Sequence, residues 1–333
     1  MTESIDINIT GHAAGRFKFE AFKADAEGNE IPGTRRIVAD WFDNLIVNGG
    51  MNLIGDNPSG NAIGNTSTLT ACRVGTGSTA PAVTDTALVN QVAATTTVSA
   101  RTSGVQATTP YFGWFRTTYR FAPSGTAQNL AEVGVATAAT GGTLFSRALI
   151  VDGGGSPTTI QVLGDESLDV TYELRLYPPL ADMPWSATIS GTNYSGIARA
   201  DRAGDATAWN ANGPNWRMDG SSMKGCILAT SLAMNVYNGS IGAITATPSG
   251  TAVSVDLSPV GAVTAAAYTA NSFQRSHAVL LDLAVGNVSG GISAFRIMTG
   301  IGGYQFSASP AFAKDSTKRL TLNMSFSWAR YTP

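Results

Sequence analysis

Charged side chains are scarce in this chain. Asp, Glu, Lys and Arg together make up 13% of its 333 residues, about half the share usual for a soluble protein. The 21 Lys and Arg nearly balance the 23 Asp and Glu, and the formal net charge is −2. Proteins that bind nucleic acid need clustered cationic side chains to displace counterions. The composition therefore predicts no nucleic-acid partner.

Long apolar runs are also missing. No apolar stretch approaches the ~18 residues that suggest a transmembrane helix, and the first residues lack the pattern of a secretion signal. We therefore expect no membrane span and synthesis in a cytoplasm.

Cysteine and histidine occur only twice each. Cys72 and Cys226 are far apart in the sequence and favour buried, apolar-like thiols, with a disulfide or a metal role as the alternative. His12 and His277 have no Cys, Asp or Glu at metal-ligand spacing. This pattern argues against a histidine-based metal site or hydrolytic triad.

Residues that suit strands and turns take the place of the missing charges. Hydrophobic residues make up 43%, enough for a core, and the 37 glycines accompany many Thr, Ser and Asn. Short alternating or apolar runs bounded by Gly, Pro, Asn or Ser are typical of β-sandwich strands; the clearest lie at residues 115–123, 128–137, 143–151, 158–164 and 168–179. The sequence predicts an all-β protein of two β-sandwich-type domains.

The helical exception is residues 43–57, where apolar spacing predicts one or two helical turns with Asp43 or Asn44 as the cap. Near the start, residues 5–11 and 15–25 predict two strands with a turn at His12. The Pro-rich break at residues 178–184 places the domain boundary, giving domains at 1–179 and 184–333.

The two halves share an order of strands. Residues 115–177 contain an aromatic-opened strand, a small-residue strand, an F-S-x-A strand and a long closing strand, and residues 273–331 repeat this order at low identity. The pattern favours a divergent internal duplication. The alternative is that any two runs of sandwich strands look alike.

The segment VGTGSTAPAVTDTAL at residues 74–88 has the glycines of a phosphate-binding loop. Such a loop needs a Lys and a following helix; this segment has no Lys, and Pro81 interrupts a helix. Gly75 and Gly77 are better explained by a tight exit from a strand, and Pro81 by a stiff framework loop. The sequence predicts no cofactor.

Two carboxylate groups could in principle serve a glycosidase. Asp165, Glu166 and Asp169 are close in sequence, as are Asp201 and Asp205. Nothing in their spacing separates them from turn residues and solvated faces. We therefore predict that the protein has no catalytic residues and is not an enzyme.

The segment at residues 201–222 is rich in Gly, Asn and Trp. Exposed rings beside polar groups suit recognition of sugars or surfaces, which makes Trp209, Trp216, Arg217 and Asp219 candidate recognition residues. The favoured alternative is that both tryptophans close the end of a sandwich or an interface between subunits.

Several blocks resemble tail proteins of tailed bacteriophages: DNLIVNGGMNLIGD, CRVGTGSTAPAVTDTAL, AEVGVA, TLFSRALI and LDVTYELRLYPP. They cover about half of the chain, residues 15–179, and their order is more specific than any one block. The resemblance implies a tail-fibre, receptor-binding or baseplate-associated protein without catalytic residues, usually a symmetric oligomer and often a trimer. It also implies that Gly75, Gly77 and Pro81 shape a framework loop and that residues 44–46 pack the segment before the helix.

The resulting expectation is a structural component of a tailed-phage virion, located in the tail and assembled in the host cytoplasm. Residues 1–179 would attach to the virion, and residues 184–333 would face a partner or receptor. Expected partners are further copies of the chain, other tail proteins, and a glycan or protein of the host surface. The alternative function is a carbohydrate-binding or adhesin-like module without a virion role. A glycan depolymerase is the next alternative.

Overall fold

The computed structural model describes residues 4–56, 68–209, 234–257 and 261–332. Strand makes up 54% of the structure and helix 4%, and most strands pair antiparallel. The all-β prediction is confirmed.

The described elements fall into two halves. The first contains β1 (Ser4–Lys23), β2 (Arg36–Asp43), β3 (Leu45–Ile46), α1 (Asn48–Gly55), β4 (Ala71–Gly75), β5 (Gln91–Thr95), β6 (Val98–Gln106), β7 (Phe112–Phe121), β8 (Gln128–Leu130), β9 (Glu132–Ala136), β10 (Leu144–Leu149), β11 (Ile160–Val162) and β12 (Glu166–Tyr177). The second contains β13 (Met183–Ile189), β14 (Thr192–Ala200), α2 (Ala206–Trp209), β15 (Met234–Tyr237), β16 (Ala252–Val255), β17 (Val263–Ala265), β18 (Gln274–Leu281), β19 (Ile292–Thr299), β20 (Gly302–Phe312) and β21 (Leu320–Arg330).

The strands form one large sheet and smaller sheets that pack on it. The eight-stranded sheet has the order β17-β18-β21-β1-β12-β7-β6, and β2 also pairs with β1. A five-stranded sheet has the order β3-β10-β9-β4-β5, and a six-stranded sheet has the order β13-β14-β20-β19-β15-β16. Phe145 of β10 lies 6.4 Å from Tyr172 of β12, and Tyr304 of β20 lies 6.2 Å from Phe326 of β21, between ring centroids. The core therefore lies between the large sheet and each of these two sheets, as in a sandwich.

The two halves repeat the same pairing. The orders β10-β9-β4-β5 and β12-β7-β6 of the first half correspond to β20-β19-β15-β16 and β21-β18-β17 of the second. A short helix follows the strand that pairs with β10 or β20, α1 after β3 and α2 after β14. Seven corresponding strands in the same chain order support the predicted duplication far better than a chance likeness of sandwich strands does.

β1 joins the halves. Its residues from Ser4 to Ala13 pair in parallel with β21, and those from His12 to Lys23 pair antiparallel with β12. The predicted turn at His12 is wrong, because hydrogen bonds to neighbouring strands keep the backbone extended through this stretch. The predicted boundary at residues 179–184 does not separate the sheets, since one sheet contains strands of both halves.

The predicted helix exists as α1, but its start differs from the expectation. Val47 is the N-cap residue, without a side-chain hydrogen bond, so neither Asp43 nor Asn44 caps the helix. The Asn44 N–H instead donates to the Gly15 carbonyl (3.0 Å). Leu45 and Ile46 form β3, which pairs with β10, so this segment is held in the sheet before the helix begins.

Candidate functional site

The glycine-rich segment at residues 74–88 encloses a carboxylate of the protein itself. The buried Glu132 side chain accepts hydrogen bonds from the backbone N–H groups of Gly77 (3.0 Å), Val89 (3.0 Å) and Asn90 (2.7 Å). Convergent backbone N–H groups also bind phosphate in other proteins. Here the position of the anion is occupied by an internal glutamate.

Arg147 completes this buried cluster. It is 1% exposed and donates from Nε to Glu132 (3.0 Å), from Nη1 to Asp85 (2.7 Å) and from Nη2 to the Thr79 carbonyl (2.7 Å). A buried ion pair is tolerated when hydrogen bonds satisfy both partners. The pair thus attaches the segment to β9 and β10.

Gly75 and Gly77 are required for space. A Cβ at Gly75 would lie 2.7 Å from a Glu132 carboxylate oxygen, and one at Gly77 would lie 2.6 Å from the Val89 Cβ. Pro81 precedes Ala82, whose N–H donates to the Asp85 carboxylate (2.9 Å). The enclosed carboxylate limits the space at Gly77, whereas a Cβ at Gly75, the last residue of β4, would also meet the Asn90 carbonyl, as expected at a tight strand exit.

Trp209 is buried, contrary to the exposure that a recognition role requires. It is 1% exposed, its Nε1 donates to the Asp201 carbonyl (3.0 Å), and its ring meets that of Tyr304 edge-on. Gly302 passes so close to this ring that a Cβ there would overlap it. The recognition role predicted for Trp209 is wrong, and the packing alternative holds for it. Trp216, Arg217 and Asp219 lie outside the described residues.

The first group of predicted carboxylates forms ion pairs. Asp165 lies 2.8 Å from Lys23, Glu166 lies 2.7 Å from Arg36, and Asp169 lies 2.8 Å from Arg120. Hydrogen bonds from Arg36 hold the pKa of Glu166 below its ordinary value. These carboxylates hold neighbouring strands and turns together.

In the second group only Asp201 is buried, and its pKa shifts in the opposite direction to that of Glu166. Asp201 is buried against Arg296 (2.8 Å) and Arg202 (3.1 Å). Burial raises the pKa of Asp201 although both arginines oppose that shift. Asp205 is more exposed and lies 3.6 Å from Arg202.

The described Cys and His residues lie on different strands, Cys72 on β4, His277 on β18 and His12 on β1. Cys72 is buried, which raises the pKa of its thiol, and Cys226 lies outside the described residues. His277 is buried against Phe326, whereas His12 lies half-buried in β1. Within the described ranges, no group of three or more His, Cys, Asp or Glu could hold a metal ion. No helix in those ranges is long and apolar enough to span a membrane.

A cluster that the sequence analysis missed lies on the outer side of the large sheet. Glu173 of β12 is 1% exposed and receives Arg16 of β1 (2.8 Å), Arg175 of β12 (2.6 Å) and Arg116 of β7. Burial by itself raises the pKa of Glu173, but the hydrogen bonds from the three arginines outweigh burial and hold the pKa below its ordinary value.

Aromatic rings hold these arginines in place. The guanidinium carbon of Arg16 lies 4.2 Å from the centre of the Trp41 ring, that of Arg116 lies 4.3 Å from Trp114, and that of Arg175 lies 4.4 Å from Phe112. Cation–π contacts of this kind favour guanidinium groups that are ordered and lie flat on the ring. We call the set Arg16, Trp41, Trp114, Arg116, Glu173 and Arg175 the arginine–aromatic face.

A neighbouring cluster also combines arginines, a buried carboxylate and an aromatic ring, but its charges are balanced. Arg120 and Arg35 meet the buried Asp169 (2.8 and 3.1 Å), and both lie over the Phe22 ring. Arg35 also pairs with Glu30 (2.6 Å). Glu20 lies 3.9 Å from Arg35 and 3.2 Å from Lys18, so three cations face three carboxylates here.

The second missed feature is a sheet edge with which no further strand pairs in the described part of the chain. β5 ends the five-stranded sheet and β6 ends the eight-stranded sheet, and only Thr96 and Thr97 connect them, so both sheets end side by side. Val89 and Val92 are 56% and 44% exposed. Between residues 86 and 110, Arg101 is the only charged residue. We call residues 86–106 the β5–β6 edge.

No family model, curated protein or solved structure matches this chain.

Part of the arginine–aromatic face can be predicted from the local sequence pattern. In FGWFRTTYRF, alternation puts Trp114, Arg116 and Arg120 on one face of β7, where the period of two predicts a common side. Nothing local indicates that Glu173 and Arg16 join them, because the three strands are brought together only by sheet pairing.

Proposed function

We propose that this protein is a structural component of a tailed-phage virion, a tail-fibre or baseplate protein that functions as a homo-oligomer. The first support is the ordered set of sequence blocks that resembles phage tail proteins. Four of these blocks contribute β3 with α1, β4, β9 and β10, which form adjacent strands of one sheet and the helix beside it. The resembling segments therefore form a contiguous unit.

The observation that carries the proposal is the β5–β6 edge. An exposed sheet edge exposes unpaired backbone groups, and soluble proteins usually block it with Lys, Pro, strong bulges or a covering segment. This edge has a single Arg, two exposed valines and two irregularities, one between Gln91 and Ala93 of β5 and one between Val98 and Ala100 of β6. Such an edge is suited to burial against another protein surface.

A second copy of the chain is the occupant that the edge fits best. Residues that are nearly all uncharged lose little solvation energy when two copies meet, whereas charged groups would be costly to desolvate. Joining sheets edge to edge also satisfies backbone groups on both sides. A virion component needs such repeated contacts between identical subunits, and a trimer is the favoured state.

The test is the solution mass of the purified protein by light scattering, compared with Val92→Lys and with Leu283→Lys. Both sites are exposed apolar positions (44% and 39%). Leu283, however, follows β18, which lies near the opposite end of the large sheet from β6. We expect an oligomer for the wild type and Leu283→Lys, and the 34.4 kDa monomer for Val92→Lys. A monomeric wild type, or an oligomer that Val92→Lys leaves intact, contradicts the proposed assembly.

The virion role itself needs a second measurement. Antibodies against the protein, imaged by immunogold electron microscopy on phage particles, should label tails. Binding of the same sample to host cells separates an attachment role from an internal baseplate role. An unlabelled tail, together with a monomer that binds free glycans, would favour the carbohydrate-binding alternative.

A further inference from the structure

The arginine–aromatic face carries more positive charge than its carboxylates neutralise. Arg16, Arg116 and Arg175 share one buried carboxylate, that of Glu173. Asp43, the cross-strand partner of Arg16, is exposed and adds a second negative charge. Three cations against two anions leave one positive charge on this part of the sheet, whereas the Asp169 cluster beside it is balanced.

Some guanidinium donors on this face have no acceptor among the described residues. Arg116 is 35% exposed and contacts Glu173 through Nε; in the described part of the chain its two terminal nitrogens make no hydrogen bond. Arg16 uses Nε and Nη2 on Glu173 and is 22% exposed. An arginine held at one edge by a buried carboxylate and on its face by a ring is ordered before a ligand arrives, which lowers the entropy cost of binding.

Half-buried indole rings and hydroxyl groups surround these donors. Trp41 and Trp114 lie beside Arg116, and Thr118 and Thr171 form a hydroxyl pair (2.9 Å) on the adjacent strands. Guanidinium groups bind carboxylates in a two-point geometry, while ring surfaces and hydroxyls suit the C–H and O–H groups of sugars.

We propose that the arginine–aromatic face binds a carboxylate-bearing polysaccharide, with Arg116 and Arg16 as the groups that receive the carboxylate. This gives the attachment role a ligand class, and its biological setting rests on the proposed function. The binding reaction itself involves only the face and can be measured on the isolated protein.

The experiment compares Arg116→Gln with Arg120→Gln. The two arginines lie four residues apart on the same face of β7, are 35% and 34% exposed, and each pairs with a buried carboxylate. Binding to polygalacturonate is measured by calorimetry at physiological ionic strength, which screens non-specific attraction. Dextran, dextran sulfate and poly-L-glutamate serve as probes for a neutral sugar, another anion and an acidic peptide.

We expect the wild type to bind polygalacturonate, Arg116→Gln to weaken binding by about tenfold or more, and Arg120→Gln to change it by less than about twofold. Absent binding, equal losses in both variants, or equal binding to dextran overturns the proposal. Binding to dextran sulfate or poly-L-glutamate as tight as that to polygalacturonate also overturns it.

The light-scattering mass of the same sample distinguishes the two proposals. An oligomer that does not bind polygalacturonate keeps the assembly proposal and overturns the polysaccharide site. A monomer that binds polygalacturonate with the expected variant pattern supports the site and contradicts the proposed assembly.

Discussion

The rings of Tyr177 and Tyr331 stack face to face, with centroids 3.7 Å apart and planes within 3° of parallel. Each tyrosine ends the closing-strand motif of its half, at β12 and just after β21. The two strands flank β1, and the Tyr331 N–H donates to the Ala13 carbonyl of that strand (2.8 Å). Corresponding residues of the two repeats therefore meet where β1 passes from one neighbour to the other.

We expect Tyr331→Ala to lower the free energy of unfolding by about 1–2 kcal/mol, because an aromatic pair contributes about 0.5–1.5 kcal/mol beyond its buried area. Tyr331→Phe keeps the ring and should change stability by less than about 0.5 kcal/mol. Urea unfolding of both variants measures the difference. Equal losses for Ala and Phe would mean that the hydroxyl, and not the stack, matters.

Gly77→Ala tests the enclosed carboxylate. The added methyl group would meet Glu132 and Val89, so either the Glu132 hydrogen bonds or the loop must shift, at a cost of about 1–3 kcal/mol. Gly153→Ala is the control, since a Cβ there meets nothing within 4 Å. Thermal unfolding should separate the two variants, and similar melting temperatures would show that the loop tolerates the added methyl group.

We expect protonation of Glu173 in acid to lower the free energy of unfolding. Its folded-state pKa lies below the ordinary value, which is about 4.3 for Glu. A depressed carboxyl pKa contributes stability that is fully present above the unfolded-state pKa and is lost as the pH falls through the folded-state pKa. The contribution should therefore be complete above about pH 5 and decline below about pH 4.3.

The measurement is the free energy of unfolding of wild type and Glu173→Gln between pH 3 and pH 6. We expect a shallower acid decline in the variant, because its amide does not titrate, and a lower stability than wild type at pH 6. Parallel declines would show that other carboxyls, such as Glu166 beside Arg36, account for the acid sensitivity.

Local pattern was sufficient for the strands β7, β9, β10 and β12 and for the presence of α1. Alternation in β7 and in the second half of β1 follows from the period-two geometry of a half-buried strand, and low charge with many β-formers excluded a helical protein. The order of strands in the two halves also indicated their duplication before any pairing was visible. The residues that define the buried face of a strand or the apolar side of a helix are neighbours in the sequence, so local pattern is enough to predict them.

Local pattern failed where the partner of a residue lies far along the chain. The turn predicted at His12 is absent, because β21 and β12 hold β1 extended on either side of this residue. Glu132 lies in a run predicted as a strand, and nothing local indicated that Arg147 and the loop at residues 76–90 enclose its side chain. For Trp209 the sequence left both a recognition role and packing open and favoured packing, and only the folded chain shows that Tyr304 and Gly302 lie against it.

The amino-acid sequence thus determined the all-β class, the strand periodicity and the repeated order of elements, because each depends on residues close together in the chain. The tertiary structure decided that one sheet spans both halves, which carboxylates are enclosed, and which arginines share Glu173. Those outcomes depend on strand pairing and burial, which bring together residues as far apart as Arg16 and Glu173.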